Sequence, residues 1–494
     1  MSKSETNLTE CFNSEKINSF STKLGLIIKL SWPAIMAQLS TILMEYIDAS
    51  MVGRLGAAPA ASIGLVATTT WLFWGLGTAT ATGYAVQVAH LIGAKRETDA
   101  RSVLRQSLIV VIGLAVALSF IGLLIAPRLP YWLGGDDVIA TGSTSYFTIF
   151  ALSLPMMFLS YLSASMLRCS GNMFIPGMLN VVMCLLDVVF NFFMIFPTRE
   201  IDVFNTVITV PGAGLGVTGA ALGTLLAEIF AGGYMVYYLL FRSSSLSRPA
   251  KDTPRWWQLT KTTVKRACTI SWPLAIERIV MCTAQIFITA IVAPLGTAAI
   301  AANAFGITAE SLCYMPGYGI SDASTTLVGQ SLGAGRPTLS KSFGRITIVL
   351  GILVMAVLGF VMWLFADEMM MFFTADESVI SLGSTALRTE AWAEPMFAAA
   401  IVTYGVFIGA GYTMTPAIIN FSCIWGIRVT LSLLLASSLG LFGVWLAMAI
   451  ELSVRGLIFL IVFAKGNWLK KSLKIAPDPE VASQLIDQPN EFEL

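Results

Sequence analysis

Twelve apolar stretches dominate the sequence, at about 24–51, 60–88, 103–126, 138–168, 173–197, 215–241, 262–293, 299–330, 341–368, 382–409, 414–439 and 442–466. Each exceeds the roughly 20 residues that one bilayer crossing requires. Inside hydrocarbon a segment has no water to satisfy its backbone, so it must be a helix or part of a closed barrel. Barrel strands run to only about 9–11 residues. The stretches therefore predict an all-α polytopic membrane protein of twelve transmembrane helices.

Composition narrows the function classes. Hydrophobic residues make up 56% of the 494 and charged residues 12%, about half the charged share of a soluble domain. The net charge of +1, with no basic domain, argues against a nucleic-acid partner. Seven Cys scattered singly exclude a disulfide scaffold. With one His, no HExxH motif and no nucleophile–base signature, the chain does not read as an enzyme, and no cofactor is expected. The first 22 residues are polar and lack the apolar core of a signal peptide.

Basic residues set an expected orientation. The even-numbered connections and their flanks carry fifteen Lys and Arg, among them Lys95, Arg96, Arg168, Lys265 and Arg336. The odd-numbered ones carry three, Arg54, Arg128 and Arg199. Positive loops stay inside, so the even connections and both termini are expected on the cytoplasmic side of an inner or plasma membrane. The acidic connection after span nine (Asp367, Glu368, Asp376, Glu377) falls outside.

The chain also repeats itself at a fixed offset of 240. Ser31-Trp32-Pro33 returns as Ser271-Trp272-Pro273, and Leu55-Gly56 as Leu295-Gly296. Gly93-Ala94-x-Arg96 returns as Gly333-Ala334-x-Arg336. Gly171, Pro176 and Asn180 return as Gly411, Pro416 and Asn420. Four matches in register mark a duplication. Six spans per half is an even number, so both halves share one orientation. They are expected to be related by a pseudo-two-fold axis along the membrane normal, as in transporters with a central cleft. The division predicted is a tail at 1–23, a lobe at 24–241, a linker at 242–261, a lobe at 262–466 and a tail at 467–494.

These residues resemble the MATE family, the multidrug and toxic compound extrusion antiporters. The family's first-span pattern of Pro, an Asp fifteen residues on, Gly and Leu-Gly is matched by Pro33, Asp48, Gly53, Leu55 and Gly56. The segment Val328 to Arg336 and the run Gly219 to Thr224 are similar to family segments in spans eight and six. The resemblance implies two six-helix lobes in a V. It also implies export of amphipathic, often cationic compounds against inward H⁺ or Na⁺.

Ionisable groups within spans are costly and usually functional. Gln38, Thr41, Glu45 and Asp48 are spaced by 3, 4 and 3, so they share one face of span one. Asn180, Asp187 and Asn191 form a second stripe on span five, expected to oppose the first. Many MATE proteins carry Asn and then Asp where this chain has Asp187 and Asn191, so the two types are exchanged. The predicted ion-coupling residues are Asp48, Asp187 and Glu45. Gln38, Thr41, Asn180, Asn191, Thr224, Glu277 and Gln285 are expected to line the cavity. Under the offset, Asp48, Glu45 and Asp187 align with Ile288, Gln285 and Ile427, which places the carboxylate cluster in the first lobe. A position that is acidic in some Na⁺-coupled relatives is Met281 here, and Met44 stands where a tyrosine is common.

The favoured function is an H⁺-coupled antiporter acting as a monomer on small amphipathic substrates. A Na⁺-coupled antiporter, with Asp48, Asp187, Asn191 and Thr224 holding the ion, is the alternative. A lipid-linked saccharide flippase is a third reading, disfavoured because its anionic cargo would call for several cavity Arg or Lys.

Overall fold

The computed structural model describes Ile17 and residues 19–203, 206–247 and 258–472. Among the described residues, nine transmembrane helices are continuous: α1 (Phe20–Gly53), α2 (Ala57–Gly93), α3 (Glu97–Ile125), α4 (Asp137–Cys169), α5 (Phe174–Ile195), α6 (Gly216–Phe241), α7 (Lys261–Val292), α8 (Thr297–Gly333) and α9 (Pro337–Leu364). The tenth, α10, is the bent pair Glu377–Ala391 and Glu394–Gly409. A continuous run from Met414 to Ala464 turns sharply at Gly440, whose φ of 60° suits glycine. It separates α11 (414–439) from α12 (441–464). At about 1.5 Å per residue the 34 residues of α1 span about 50 Å, more than the hydrocarbon thickness of about 30 Å. Such helices tilt or project beyond the bilayer core.

The twelve helices form two six-helix lobes. Phe73, Phe147, Phe158 and Leu162 anchor the core of the first. Trp445 anchors one core of the second, and Phe407 with Phe459 another. α1 and α2 of the first lobe pack on α8 and α7 of the second. α8 carries Glu310, Asp322 and many Ser, Thr and Gly, and its second half is almost entirely buried. Small side chains let neighbouring backbones approach closely in a membrane.

The lobes meet tightly at the end that carries the basic connections. His90 of α2 bonds through Nε2 to the Gly409 carbonyl at 2.7 Å. Gln330 of α8 donates from Nε2 to the Cys169 carbonyl, also at 2.7 Å. Exchanging each residue for its repeat mate turns one contact into the other: Gln330 for His90 and Cys169 for Gly409. The helix ends obey the same rule: a Cβ on Gly93 would come within 2.0 Å of the Gln330 carbonyl, and one on Gly333 within 2.0 Å of the His90 carbonyl. Only glycine allows either crossing. Thr326 Oγ1 donates to the Arg168 carbonyl at 3.1 Å, and Arg168 lies 4.0 Å from Asp322. Beside His90 is a cavity of about 190 Å³ lined by Gln87, Arg96, Gln106 and Arg266.

Some features depart from expectation. The α5–α6 connection folds into a hairpin, β1 (Pro197–Val203) with β2 (Thr206–Ala213), antiparallel. Val207, Ile208 and Thr209 favour strand. Arg199 sits 4.4 and 4.1 Å from the ring centroids of Phe192 and Phe196, fixing the hairpin to the end of α5. The polar tail expected from 467 begins instead with a helix, Asn467–Ser472, because Trp468 is fully buried against Phe407 and Phe463. At the other end α1 starts at Phe20, and Ile17 is buried. Half of the 242–261 linker and most of both tails lie outside the described residues.

Candidate functional site

α1 and α5 pack side by side, and their polar stripes face each other. Asn180 Nδ2 donates to the Ala37 carbonyl and to Thr41 Oγ1, each at 2.9 Å. Nearly three turns along α5, Asn191 Nδ2 donates to Asp48 Oδ1 and to Asp187 Oδ2, again at 2.9 Å. The Asp48 and Asp187 carboxyls also lie within hydrogen-bonding reach of each other. Asp187 and Asn191 are fully buried and Asp48 partly so. Asp187 Oδ1 and Asn191 Oδ1 receive no donor. Among the described residues no Lys, Arg or His bonds to the cluster, which holds two acids bridged by one amide.

Glu45 is exposed one turn before Asp48 and joins the cluster through its charge rather than a hydrogen bond. Its neighbour Tyr46 donates to the Thr308 carbonyl of α8, tying the acidic helix to the other lobe. Thr224 back-bonds to the Ala220 carbonyl at 3.2 Å and also approaches Asp187. Gln38 is half-buried and Gln285 offers its carbonyl to Thr289, but neither side chain takes part in these bonds.

Glu277 stands apart, in the second lobe. It is buried, accepting from Asn420 Nδ2 at 2.6 Å and from the Tyr404 hydroxyl. Asn420 is the repeat mate of Asn180, and Glu277 that of Ala37. The same amide thus reaches across the same helix pair, to a backbone carbonyl in one lobe and a carboxylate in the other. The expectation that carboxylates cluster in the first lobe alone is corrected here. Glu310 of α8 and Glu390 of α10 lie within hydrogen-bonding reach, with Glu394 close by. All four oxygens of Glu390 and Glu394 are buried without a hydrogen bond. Spacing within one helix does not show which acids on separate helices will meet.

The chain matches the MatE family model twice, over residues 33–193 and 273–434, so the two matches begin 240 residues apart. The chain belongs to the MatE family. It is accordingly a multi-pass membrane transporter and not an enzyme. Among relatives, a probable multidrug resistance protein NorM of Thermotoga maritima is 26% identical over 450 residues, covering 90% of this chain and 93% of that protein. A protein named FAD transporter of Shewanella oneidensis is 21% identical, over 72% of this chain and 75% of its own. The fold is similar to a crystal structure of MATE in complex with MaL6, with a TM-score of 0.82 at 21% identity over 91% of this chain and 97% of that one. It is also similar, at a TM-score of 0.81 and 19% identity over 91% and 97%, to a Pyrococcus furiosus transporter described as having reverse polarity of its binding pocket.

Two further residues stand out in the structure. His90 is buried between the lobes. Its alignment with Gln330 was the available signal, since two polar mates inside an apolar repeat mark a shared contact. Arg278 has no hydrogen bond or ion pair among the described residues, though the charge of Glu277 acts on it.

Proposed function

We propose that this MatE protein is a proton-coupled antiporter exporting amphipathic compounds through Asp48 and Asp187. The observation that carries the reading is the Asp48–Asn191–Asp187 cluster: two carboxyls held by one amide donor, with no cationic partner among the described residues. Two like charges at such a distance in a poorly solvated site repel strongly. A proton between them removes the repulsion and supplies the donor that Asp187 Oδ1 lacks.

The basic end is taken as cytoplasmic, and the lobes are closed there. With the cavity open to the outside, a proton entering the cluster removes negative charge beside Glu45. A cationic cargo then loses its counter-charge and leaves. With the cavity open to the cytoplasm, the proton departs and the restored charge recruits the next cargo. Ion and cargo compete for one charge, so coupling needs no second site. Exchange of one proton for one monovalent cation moves no net charge, so the pH difference drives it: each pH unit is worth about 1.4 kcal/mol and sustains roughly a tenfold cargo gradient.

A second reading has its own support. The donor-free oxygens of Asp187 and Asn191, with Asp48 and the Thr224 hydroxyl, are the hard ligands that a Na⁺ ion takes. Transport in proteoliposomes under separately imposed gradients distinguishes them. Cargo movement that follows the pH gradient without Na⁺ is expected; movement that follows only the Na⁺ gradient would overturn the proton reading.

A further inference from the structure

Arg278 lies midway along α7, where it meets Gly75 midway along α2. The contact runs from one lobe to the other. A Cβ on Gly75 would sit 2.9 Å from Arg278 Cγ, so glycine makes room for the arginine stem. Tyr161 of α4, Tyr318 of α8 and Tyr404 of α10 stand near the guanidinium. Helices of both lobes therefore surround it, yet Arg278 and Tyr318 are both exposed. They line open space between the lobes.

This guanidinium forms no hydrogen bond or ion pair among the described residues. The adjacent Glu277 is buried, and its two oxygens are occupied by Tyr404 and Asn420. Two other span arginines differ: Arg455 pairs with Glu451 at 3.1 Å, and Arg168 has Asp322. An arginine at mid-span with no hydrogen-bonded partner, offset only by the charge of Glu277, is costly and marks a functional group. The repeat mate of Arg278 is Gln38, so the first lobe presents an amide where the second presents a cation.

We infer that Arg278 is an oxyanion-binding subsite of the transport path. The cargo it selects has an aromatic body, a cationic centre and a carboxylate-type oxyanion. The guanidinium fork matches a planar oxyanion through two parallel hydrogen bonds. Tyr161, backed edge-on by Trp74 with centroids 5.5 Å apart, and Tyr318 offer faces for the body. The cationic centre is held by the charge of Glu45 and Asp48. The inference rests on the export reading and narrows its substrate class to zwitterions.

Rhodamine 110 and rhodamine 123 share one xanthylium body; the first carries a free carboxylate, the second its methyl ester. Their binding to the purified full chain is measured by fluorescence anisotropy. Arg278→Gln is expected to weaken rhodamine 110 at least tenfold and rhodamine 123 less than twofold. Arg278→Lys should fall between, and Gly75→Val, which displaces the stem, should imitate the glutamine variant. Retained rhodamine 123 binding reports a folded protein. Equal weakening of both dyes, or weakening of neither, overturns the inference. If the binding difference holds but wild type moves neither dye under a pH gradient, the subsite stands and the export reading fails.

Discussion

The two lobes descend from one repeat, and they differ most where the chemistry lies. α5 is a regular helix through residues 184–189, where it presents the buried Asp187. Its counterpart in α11, Ile424–Val429, is a π-helical turn, with Ile427 in place of the acid. Pro155 sits inside an unbroken α4, while its mate Pro395 follows a 60° bend in α10. Wide turns and breaks of this kind mark functional or divergent sites in helices. The symmetry survives where the lobes touch, in the His90 and Gln330 contacts and the Gly93 and Gly333 crossings. Docking requires both halves to match; in the proposed mechanism, ion coupling requires only one half to carry the acids.

The strongest way to break this division is to give the first lobe the second lobe's residue. Asp187→Ile should lower coupled efflux at least a hundredfold, and adding Ile427→Asp should not restore it. Glu277→Gln should cost less than tenfold in the same rate assay. If Glu277→Gln abolishes transport while Asp187→Ile does not, the coupling site belongs in the second lobe.

Asn191→Leu installs the residue found at its mate, Leu431. Hydrogen bonds to charged groups are worth roughly 1.5–3 kcal/mol, so the initial rate should fall about ten- to a hundredfold. An unchanged rate would mean that the two acids need no bridge.

A smaller effect tests the shared symmetry. Gln330→Ala or His90→Ala removes one bond across the lobes, worth about 1 kcal/mol. Either should raise maleimide labelling of the buried Cys169 about fivefold, read by peptide mass spectrometry, and His90→Gln should not. Similar labelling in all three would show that these contacts do not hold that end closed.

The smallest effect concerns a pair without a counterpart in the first lobe. Arg388 Nη2, in the first half of α10, donates at 2.6 Å to Oδ2 of Asp367, which lies outside the spans between α9 and α10, and holds that carboxyl below its ordinary range. A lowered value stabilises the fold above the unfolded value near 3.8 and is lost as pH falls through the folded one. Both groups are more than a third exposed, so screening limits the gain to below about 1 kcal/mol. Asp367→Asn should lower the Tm by a degree or two at pH 7 and by less at pH 3.

Much of this was legible in the sequence. Apolar length gave the spans, and the 240-residue offset predicted the paired lobes. The stripes on α1 and α5 were readable because helical spacing fixes which residues share a face. Spacing does not say which helix that face will meet. The Glu310–Glu390–Glu394 cluster, the burial of His90 and the isolation of Arg278 all depend on how separate helices pack. Trp468 reads as part of a polar tail until the Phe407 and Phe463 rings that cover it are in place. The hairpin escaped because two strands of 7 and 8 residues between two long spans give too little alternating pattern to stand out from a loop.

The central claim is that cargo and proton compete for the Asp48–Asp187 cluster. It can be read without a membrane, by adding a cationic cargo to purified protein in weakly buffered detergent solution and measuring proton release. Wild type should release about one proton per cargo bound, and the Asp48→Asn, Asp187→Asn double variant none. Binding without release in wild type, or equal release from the double variant, would contradict the account.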